Sequence, residues 1–330
     1  MAEKFVIGVD IGGTKVAAGV VDGSAHVRHQ TRSPMAPYGD AASGLAAVVA
    51  AVNMLSANIQ DREHTLGGIG ISSPGPLDPT TGVVINPPNL PCWRNFPLAH
   101  EIAQIYGVPV KLDNDANCGA LAEAKWGAGR EYRNVFYVTI GTGIGTGIVF
   151  NGNLYHGRTG AAGEGGHLSI DYRGPECRCG KRGCIEAFVS GPAIAQRART
   201  RLITLRGVRS TLIDLAQGNI EAITSDMIDK ANAAGDAVAR EILLETVELL
   251  TLWLGNVVDL LEPDVVIMGG GVATMLSPFF DDIRDRLPRH CINTRCHEIP
   301  LLHAHYGADS GILGAASIVS IEKKNGAGNI

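Results

Sequence analysis

Phe5-Val-Ile-Gly-Val-Asp10-Ile-Gly-Gly-Thr-Lys15-Val-Ala-Ala-Gly-Val-Val21 opens the chain with two β-rich runs, residues 5–9 and 16–21, separated by the polar, glycine-bearing segment 10–15. Valine and isoleucine suit a pleated, half-buried surface, and a short glycine turn between two such runs reads as a hairpin. The same plan returns further on, where residues 135–140 and 148–150 flank Gly141-Thr-Gly-Ile-Gly-Thr-Gly147. Val9-Asp10-Ile11-Gly12 aligns with Val138-Thr139-Ile140-Gly141, so a whole strand-turn-strand unit recurs. Such repetition fits two related domains facing one another.

Between and beyond the hairpins, strands alternate with helical periods. A helical pattern covers residues 44–59, a strand 68–72, and the breaker-rich Ser73-Pro-Gly-Pro-Leu-Asp-Pro79 must be a loop. A helix at 98–106 and a strand at 108–112 lead into Asp113-Asn114-Asp115-Ala116-Asn117, whose first residues suit a helix N-cap and whose alanine-rich continuation reaches Trp126. Asn151-Gly152 is a further hairpin turn. The C-terminal third is helical up to Pro263, followed by a strand at 265–268, the triplet Gly269-Gly270-Gly271 and a last helix after Gly311. The class is therefore α/β.

At 330 residues the chain exceeds the size at which a single core stops growing, which favours two domains. Hydrophobic residues at 45% and charged residues at 18% are ordinary globular usage. The net charge of -5 argues against a nucleic-acid surface, and the run Arg197, Arg199, Arg201, Arg206, Arg209 reads as a solvated face. Residues 242–261 are apolar but carry Glu245, Glu248 and Asp259, so they read as a buried amphipathic helix rather than a membrane span. Asp10 breaks the first apolar run too early for a signal peptide, and the expected location is the cytoplasm. Seven cysteines, three of them within residues 177–184, suggest a metal rather than a disulfide framework, hence a reducing compartment.

Three glycine turns, at Gly12-Gly13, Gly141 to Gly147 and Gly269 to Gly271, can each bring backbone N–H groups close to an anion with no Cβ in the way. No GxxxxGK[ST] occurs and none of the turns satisfies GxGxxG, which lowers the P-loop and Rossmann readings. Asp10 ends an apolar strand, where an uncompensated carboxylate is costly; with Thr14 and Lys15 beside it, a nucleotide-phosphate and Mg²⁺ role is favoured over a turn cap. His167, Cys177, Cys179 and Cys184 give His-x9-Cys-x-Cys-x4-Cys, four ligands that would close a tetrahedral shell around a structural Zn²⁺. The other nine histidines, His303 and His305 included, are adequately explained as core or edge residues.

Read together, Asp10-Ile-Gly-Gly-Thr-Lys15, Ser73-Pro-Gly-Pro76, Pro88-Asn89-Leu90, Asn114-Asp115-Ala116-Asn117, Gly141-Thr-Gly-Ile-Gly145, Gly163-Glu164-Gly-Gly-His167, Cys177-Arg-Cys-Gly-Lys-Arg-Gly-Cys-Ile-Glu186 and Gly269-Gly-Gly271 resemble the ROK family (repressors, open reading frames, kinases), in order and almost end to end. The likeness is strongest to its bacterial glucokinases. It implies a two-lobed actin-like ATPase fold of the sugar kinase and Hsp70 superfamily, with ATP and sugar in an inter-lobe cleft. The smaller α/β lobe is then expected at residues 1–115 plus about 306–330, and the larger, zinc-bearing lobe at 116–305.

Carried onto this chain, the resemblance implies Asp115 as the base for a hexose 6-hydroxyl, with Asn89, Asn114, Glu164, His167 and Glu186 holding the sugar. Gly12, Gly13, Thr14 and Lys15 would face the nucleotide phosphates, Gly141, Thr142 and Gly143 the second phosphate side, and Gly269, Gly270 and Gly271 the adenosine. Gly165 departs from the bulky aliphatic more usual in the family and is expected to loosen the loop between Glu164 and His167. The chemistry is coherent: a hydroxyl is a weak nucleophile at neutral pH until a positioned carboxylate accepts its proton. Glucose leads as substrate, with N-acetylmannosamine, N-acetylglucosamine, fructose, mannose and allose as alternatives, and polyphosphate as an alternative donor. A homodimer or homotetramer is implied by the resemblance alone. The competing reading, a sugar-sensing repressor, needs a helix-turn-helix ahead of the kinase-like part, and the first strand at Phe5 is expected to leave no room for one.

Overall fold

The structure, a computed structural model, describes residues 3–56, 64–205, 207–307 and 309–319, and the opening hairpin forms within it as β1 (Glu3–Ile11) paired antiparallel with β2 (Lys15–Val21). β3 (Val27–Pro34) adds to β2; α1 (Ala41–Ser56) follows, and β4 (His64–Ser73) pairs in parallel with β1. A small ribbon, β5 (Leu77–Asp78) with β6 (Val83–Val84), precedes α2 (Leu98–Tyr106), and β7 (Val110–Asn114) joins β4 in parallel before α3 (Asp115–Trp126). The sheet order is β3-β2-β1-β4-β7. Side chains alternate across it as a pleat requires. Ile7, Val9 and Ile11 enter a core with Val48, Val52, Leu98 and Ile102 from α1 and α2, whereas Val6 joins Ala316 and Val319 on the other face.

The plan repeats. β8 (Val135–Ile140) and β9 (Ile144–Phe150) form the second antiparallel hairpin. Asn151 and Gly152, both at positive φ, turn the chain into β10 (Asn153–Leu154). A helical stretch follows: α4 (Glu186–Val189), α5 (Gly191–Thr204), α6 (Thr211–Leu215), α7 (Ser225–Ala233) and α8 (Ala237–Leu261). β11 (Val265–Gly269) then pairs in parallel with β8, and beyond α9 (Gly271–Leu276) and α10 (Phe280–Arg286), β12 (Leu301–His303) pairs in parallel with β11. The order β9-β8-β11-β12 matches β2-β1-β4-β7. Register confirms the alignment read from the sequence: Ile11 opposite Val16 and Ile140 opposite Ile144 close the two hairpins, so Asp10 and Thr139 occupy equivalent positions.

The last described helix, α11 (Ser310–Val319), lies against β1 and β4 because those strands carry glycine where it touches: a Cβ on Gly8 would sit 2.0 Å from the Ile312 carbonyl oxygen, and one on Gly70 1.7 Å from that of Ala315. Two units result. The first runs through Arg130 and includes Gly152–Ala162 and the described residues from Tyr306 on; the second comprises Glu131–Asn151 and Gly163–His305. This differs from the division expected at 115/116. α3 stays with the first unit because its backbone at Cys118 meets α11 at Gly314, where a Cβ would come within 2.8 Å.

The arginine run is not a solvated face. Arg197 is held among α4, α5 and α8, donating to the Phe188 carbonyl at 2.9 Å, the Ile242 carbonyl at 2.8 Å and Thr246 Oγ1 at 3.0 Å. Arg199 donates to the Ile223 carbonyl at 2.7 Å, and Arg201 to Glu241 at 2.8 Å. Arg209 is exposed as expected, and Arg206 lies outside the described residues. Among the described residues no helix is long and apolar enough to cross a membrane.

Candidate active site

Parallel pairing brings the C-terminal ends of β1, β4 and β7 side by side, with Asp10 in register with Ser72, Ser72 with Asp113, and Ser73 with Asn114. Such strand ends are where open α/β sheets gather ligand-binding groups. Ser72 Oγ donates to Asp10 Oδ1 at 3.2 Å. On the other side, Gly311 in the first turn of α11 lies so near that a Cβ there would be 2.4 Å from the Asp10 carboxylate carbon. Burial raises the Asp10 carboxyl above its ordinary range and the Asp115 charge adds to this, while Ser72 and Lys15 act in the opposite sense. A carboxylate in that position gains from a cation.

Asn114 is the N-cap of α3: its Oδ1 accepts from the Asn117 N–H at 2.7 Å. That bond uses the carbonyl end of the side chain and leaves the amide as donor. Asp115, the first residue of the helix, is accessible to solvent yet surrounded on most sides by protein, and this desolvation raises its carboxyl despite the Ala116 N–H donated to Oδ1 at 2.8 Å. A carboxylate with raised proton affinity is the kind a general base needs.

Asp113 is buried; it accepts from the Asn114 N–H at 2.8 Å and Asn117 Nδ2 at 2.9 Å, and its Oδ2 lies 2.6 Å from His156 Nε2. That partner raises the His156 pKa. The first glycine turn is open: Gly12 N–H donates to the Lys15 carbonyl at 2.9 Å, and Thr14 and Lys15 are exposed. A Cβ on Gly13 would stand 3.1 Å from the Asn89 carbonyl oxygen, so Asn89 borders this turn.

In the second unit the glycine turn is shorter than the sequence suggested, spanning Gly141 to Gly143, because residues 144–147 belong to β9. Gly141 N–H closes it onto the Gly143 carbonyl at 2.9 Å. Glu186 Oε2 accepts the Ile144 N–H at 2.8 Å, and a Cβ on Gly143 would approach that oxygen to 2.7 Å. A cavity of about 380 Å³ is lined by Gly141, Thr142, Arg199, Thr224, Asp226 and Gly271, among others. Gly270, at φ +88, backs the triplet onto β8: a Cβ would meet the Ile140 carbonyl oxygen at 2.3 Å.

Gly165 has its own explanation. Its N–H donates to Thr146 Oγ1 at 2.8 Å, its carbonyl accepts from Trp253 Nε1 at 3.0 Å, and a Cβ would sit 2.7 Å from Thr146 Oγ1. The expected loosening is absent: residues Gly165–His167 form a pinned 3-10 turn. Glu164 leads into it with an exposed side chain.

The four expected metal ligands converge, their ligand atoms all within 4.8 Å of one another. Cys177 Sγ lies 3.6 Å from His167 Nδ1, and Cys179 Sγ 3.6 Å from Cys184 Sγ. Ligand atoms about 2.3 Å (sulfur) or 2.0 Å (nitrogen) from a tetrahedral ion stand roughly 3.5–3.8 Å apart, so this set fits Zn²⁺. Burial pushes the Cys184 thiol up to about 12 and Cys177 upward, whereas the Lys181 N–H lowers Cys179. A metal cation supplies the countercharge such thiolates need. Nδ1 faces the sulfurs, leaving Nε2 as the outward ring nitrogen of His167.

Within the first unit, then, Asp10, residues 12–15 and Asn89 gather at one turn, with Asn114 and Asp115 at the neighbouring strand end; Gly141 to Gly143, Glu164, His167, Glu186 and the Gly269 to Gly271 triplet lie in the second. Sequence reasoning missed Ser72, Gly311, His156 and Arg199. Only Gly311 left a signal, the small-residue pattern Gly311-Ile-Leu-Gly-Ala-Ala316 of a helix able to approach a sheet closely.

The glucokinase of Thermotoga maritima is 33% identical over 320 residues, covering 97% of this chain and 98% of that relative. The glucokinase of Streptomyces coelicolor is 32% identical over 319 residues, 95% and 97% of the two chains. A crystal structure of a ROK family glucokinase from Streptomyces griseus in complex with glucose and AMPPNP matches with a TM-score of 0.77 at 34% identity, covering 95% of this chain and 98% of that one. The ROK family model matches residues 6–322, and the chain belongs to the ROK family.

Proposed function

We propose that this protein is an ATP-dependent hexose kinase that phosphorylates the 6-hydroxyl, with glucose as the leading substrate. The observation that carries the reading is Asp115: a desolvated carboxylate of raised proton affinity, open to solvent at the strand ends beside the Asp10 turn. Near full-length likeness to two glucokinases and to a glucokinase solved with glucose and an ATP analogue supports the substrate pair.

Asp115 accepts the hydroxyl proton as the sugar oxygen bonds to the γ-phosphorus and the bond from that phosphorus to the β–γ bridging oxygen breaks, ADP leaving with the electron pair; this removes the weakness of a neutral hydroxyl as nucleophile. Asn114, through its amide, and Asn89 hold sugar hydroxyls from the first unit. Glu164, the Nε2 of His167 and the second oxygen of Glu186 are assigned the same task in the second. Gly12, Gly13, Thr14 and Lys15 present N–H groups and charge to the phosphates; Gly141 to Gly143 do so in the second unit, where the 380 Å³ cavity suits the adenosine.

Asp10 would hold Mg²⁺, which when bound neutralises phosphate charge. His167, Cys177, Cys179 and Cys184 would hold Zn²⁺, whose part is structural: it fixes the ring plane and tautomer of His167. A cytosolic setting, which supplies ATP and keeps thiols reduced, belongs to the same reading.

The test is ADP release measured by a coupled assay across glucose, mannose, fructose, allose, N-acetylglucosamine and N-acetylmannosamine, repeated with polyphosphate as donor. The proposal expects sugar-dependent turnover, fastest with glucose and ATP. Absence of turnover with every sugar rejects a kinase, and a faster rate with polyphosphate rejects ATP as the donor.

A further inference from the structure

Glu164 and His167 stand on one short turn of the second unit, the 3-10 segment Gly165–His167 with Glu164 leading into it. Such a turn has few hydrogen bonds of its own, here from the His167 N–H to the Glu164 carbonyl at 3.0 Å and from the Leu168 N–H to the Gly165 carbonyl at 3.1 Å. Its position therefore depends on what holds it from outside, and two side chains distant in sequence do so. Thr146, on β9 and 2% exposed, brackets Glu164: its hydroxyl donates to the Gly163 carbonyl, and the same Oγ1 accepts the Gly165 N–H at 2.8 Å. A hydroxyl can do this because it donates and accepts at one atom. Trp253, fully buried on α8, packs its ring 5.7 Å from that of Phe136 and donates from Nε1 to the Gly165 carbonyl at 3.0 Å. Residue 165 is thus held by its N–H from the strand and by its carbonyl from the helix.

The fit leaves no room for a side chain at 165. A Cβ there would stand 2.7 Å from Thr146 Oγ1 and 3.1 Å from its Cγ2, so the space beside the turn is filled from the strand instead. Loss of the Thr146 hydroxyl would release the backbone on both sides of Glu164 at once, and Glu164 and His167 would move together. We infer that Thr146 and Trp253 are positioning residues for the sugar: Thr146 fixes the backbone flanking Glu164, and Trp253 ties the turn to α8. This rests on the reading of Glu164 and His167 as sugar-holding groups, and it adds which buried side chains set sugar affinity without touching the sugar. ATP affinity should not follow, because the turn assigned to phosphate closes on itself, from the Gly141 N–H to the Gly143 carbonyl at 2.9 Å.

The experiment combines calorimetry, steady-state kinetics and ¹H–¹⁵N NMR of the full chain labelled at tryptophan, with the Trp253 indole assigned among the three tryptophans by Trp253→Phe. Glucose should shift the Trp253 indole N–H saturably. Thr146→Val keeps the shape and removes the hydroxyl; it should weaken glucose by about tenfold or more and raise KM for glucose accordingly, with ATP affinity within about twofold of wild type. Thr146→Ser keeps the hydroxyl and should stay within about threefold of wild type for both ligands. Glucose affinity in Thr146→Val equal to wild type, an equal loss in Thr146→Ser, or a parallel loss of ATP affinity overturns the assignment. Should Thr146→Val fail to fold, the wild-type indole decides: no movement at saturating glucose overturns the assignment, and a saturable shift with weaker glucose binding in Trp253→Phe supports it. ADP release is measured on the same preparations. Glucose binding that depends on the Thr146 hydroxyl without turnover counts against the kinase reading alone, and turnover indifferent to that hydroxyl counts against the positioning role alone.

Discussion

A single hydrogen at position 311 determines where Asp10 can stand. Because a Cβ on Gly311 would come 2.4 Å from the Asp10 carboxylate carbon, Gly311→Ala must push either the carboxylate or α11 aside. We expect kcat to fall by about tenfold or more, since a displacement of about 1 Å at a positioned group costs that much or more. An unchanged kcat would show that Asp10 need not be where it is. Asp10 and Asp115 stand out in the sequence as candidates because each sits in a short local motif; Ser72, His156 and Gly311 do not, because their relation to those acids exists only after strands and helix distant in sequence are packed.

Asp115 also has a stability signature. Its carboxyl is raised in the folded state, so its contribution to stability is fully present below the unfolded value of about 3.9 and is lost as pH rises through the folded value. At neutral pH the wild type therefore carries a desolvated charge that Asp115→Asn does not. Thermal melts without ligand should place Tm of the Asn variant above wild type at pH 7, with the gap closing as pH approaches 4. A less stable Asn variant at pH 7 would contradict the raised carboxyl.

At the scale of elements, the metal segment is the clearest test. Cys179→Ser removes a thiolate from a four-ligand closed set and should lower zinc from about one per chain toward zero. Glu186 lies 3.9 Å from Cys177 Sγ through Oε1 and accepts the Ile144 N–H through Oε2, so loosening the segment should disturb sugar affinity before ATP affinity. Elemental analysis with calorimetry for each ligand on one preparation decides it; zinc loss with unchanged sugar affinity would separate the metal from sugar recognition. The spacing of His167, Cys177, Cys179 and Cys184 made this cluster readable. By contrast the extent of the second glycine turn was not: Ile144 to Gly147 look like loop in sequence, yet they hold register with residues 138–140 and 137 across β8. Pairing overrode local glycine content there, as sheet context overrides propensity generally.

At the scale of the molecule, the repeated strand-turn-strand unit made two related α/β units legible, and the matching strand orders bear that out. The boundary was not legible, because α3 is fixed to the first unit by a close approach to α11 that only the folded chain contains, and because Gly152–Ala162 returns to it. The equivalence of Asp10 and Thr139 adds that the two hairpins have diverged in chemistry, one ending in an acid and the other in a hydroxyl. The account as a whole turns on Asp115 as the base. The most direct measurement is steady-state kcat of Asp115→Asn with glucose and ATP, alongside sugar affinity by calorimetry. Because the exchange keeps shape and removes only the proton acceptor, kcat should fall by about 10²-fold or more with sugar binding retained; turnover within about twofold of wild type would remove Asp115 from the chemistry.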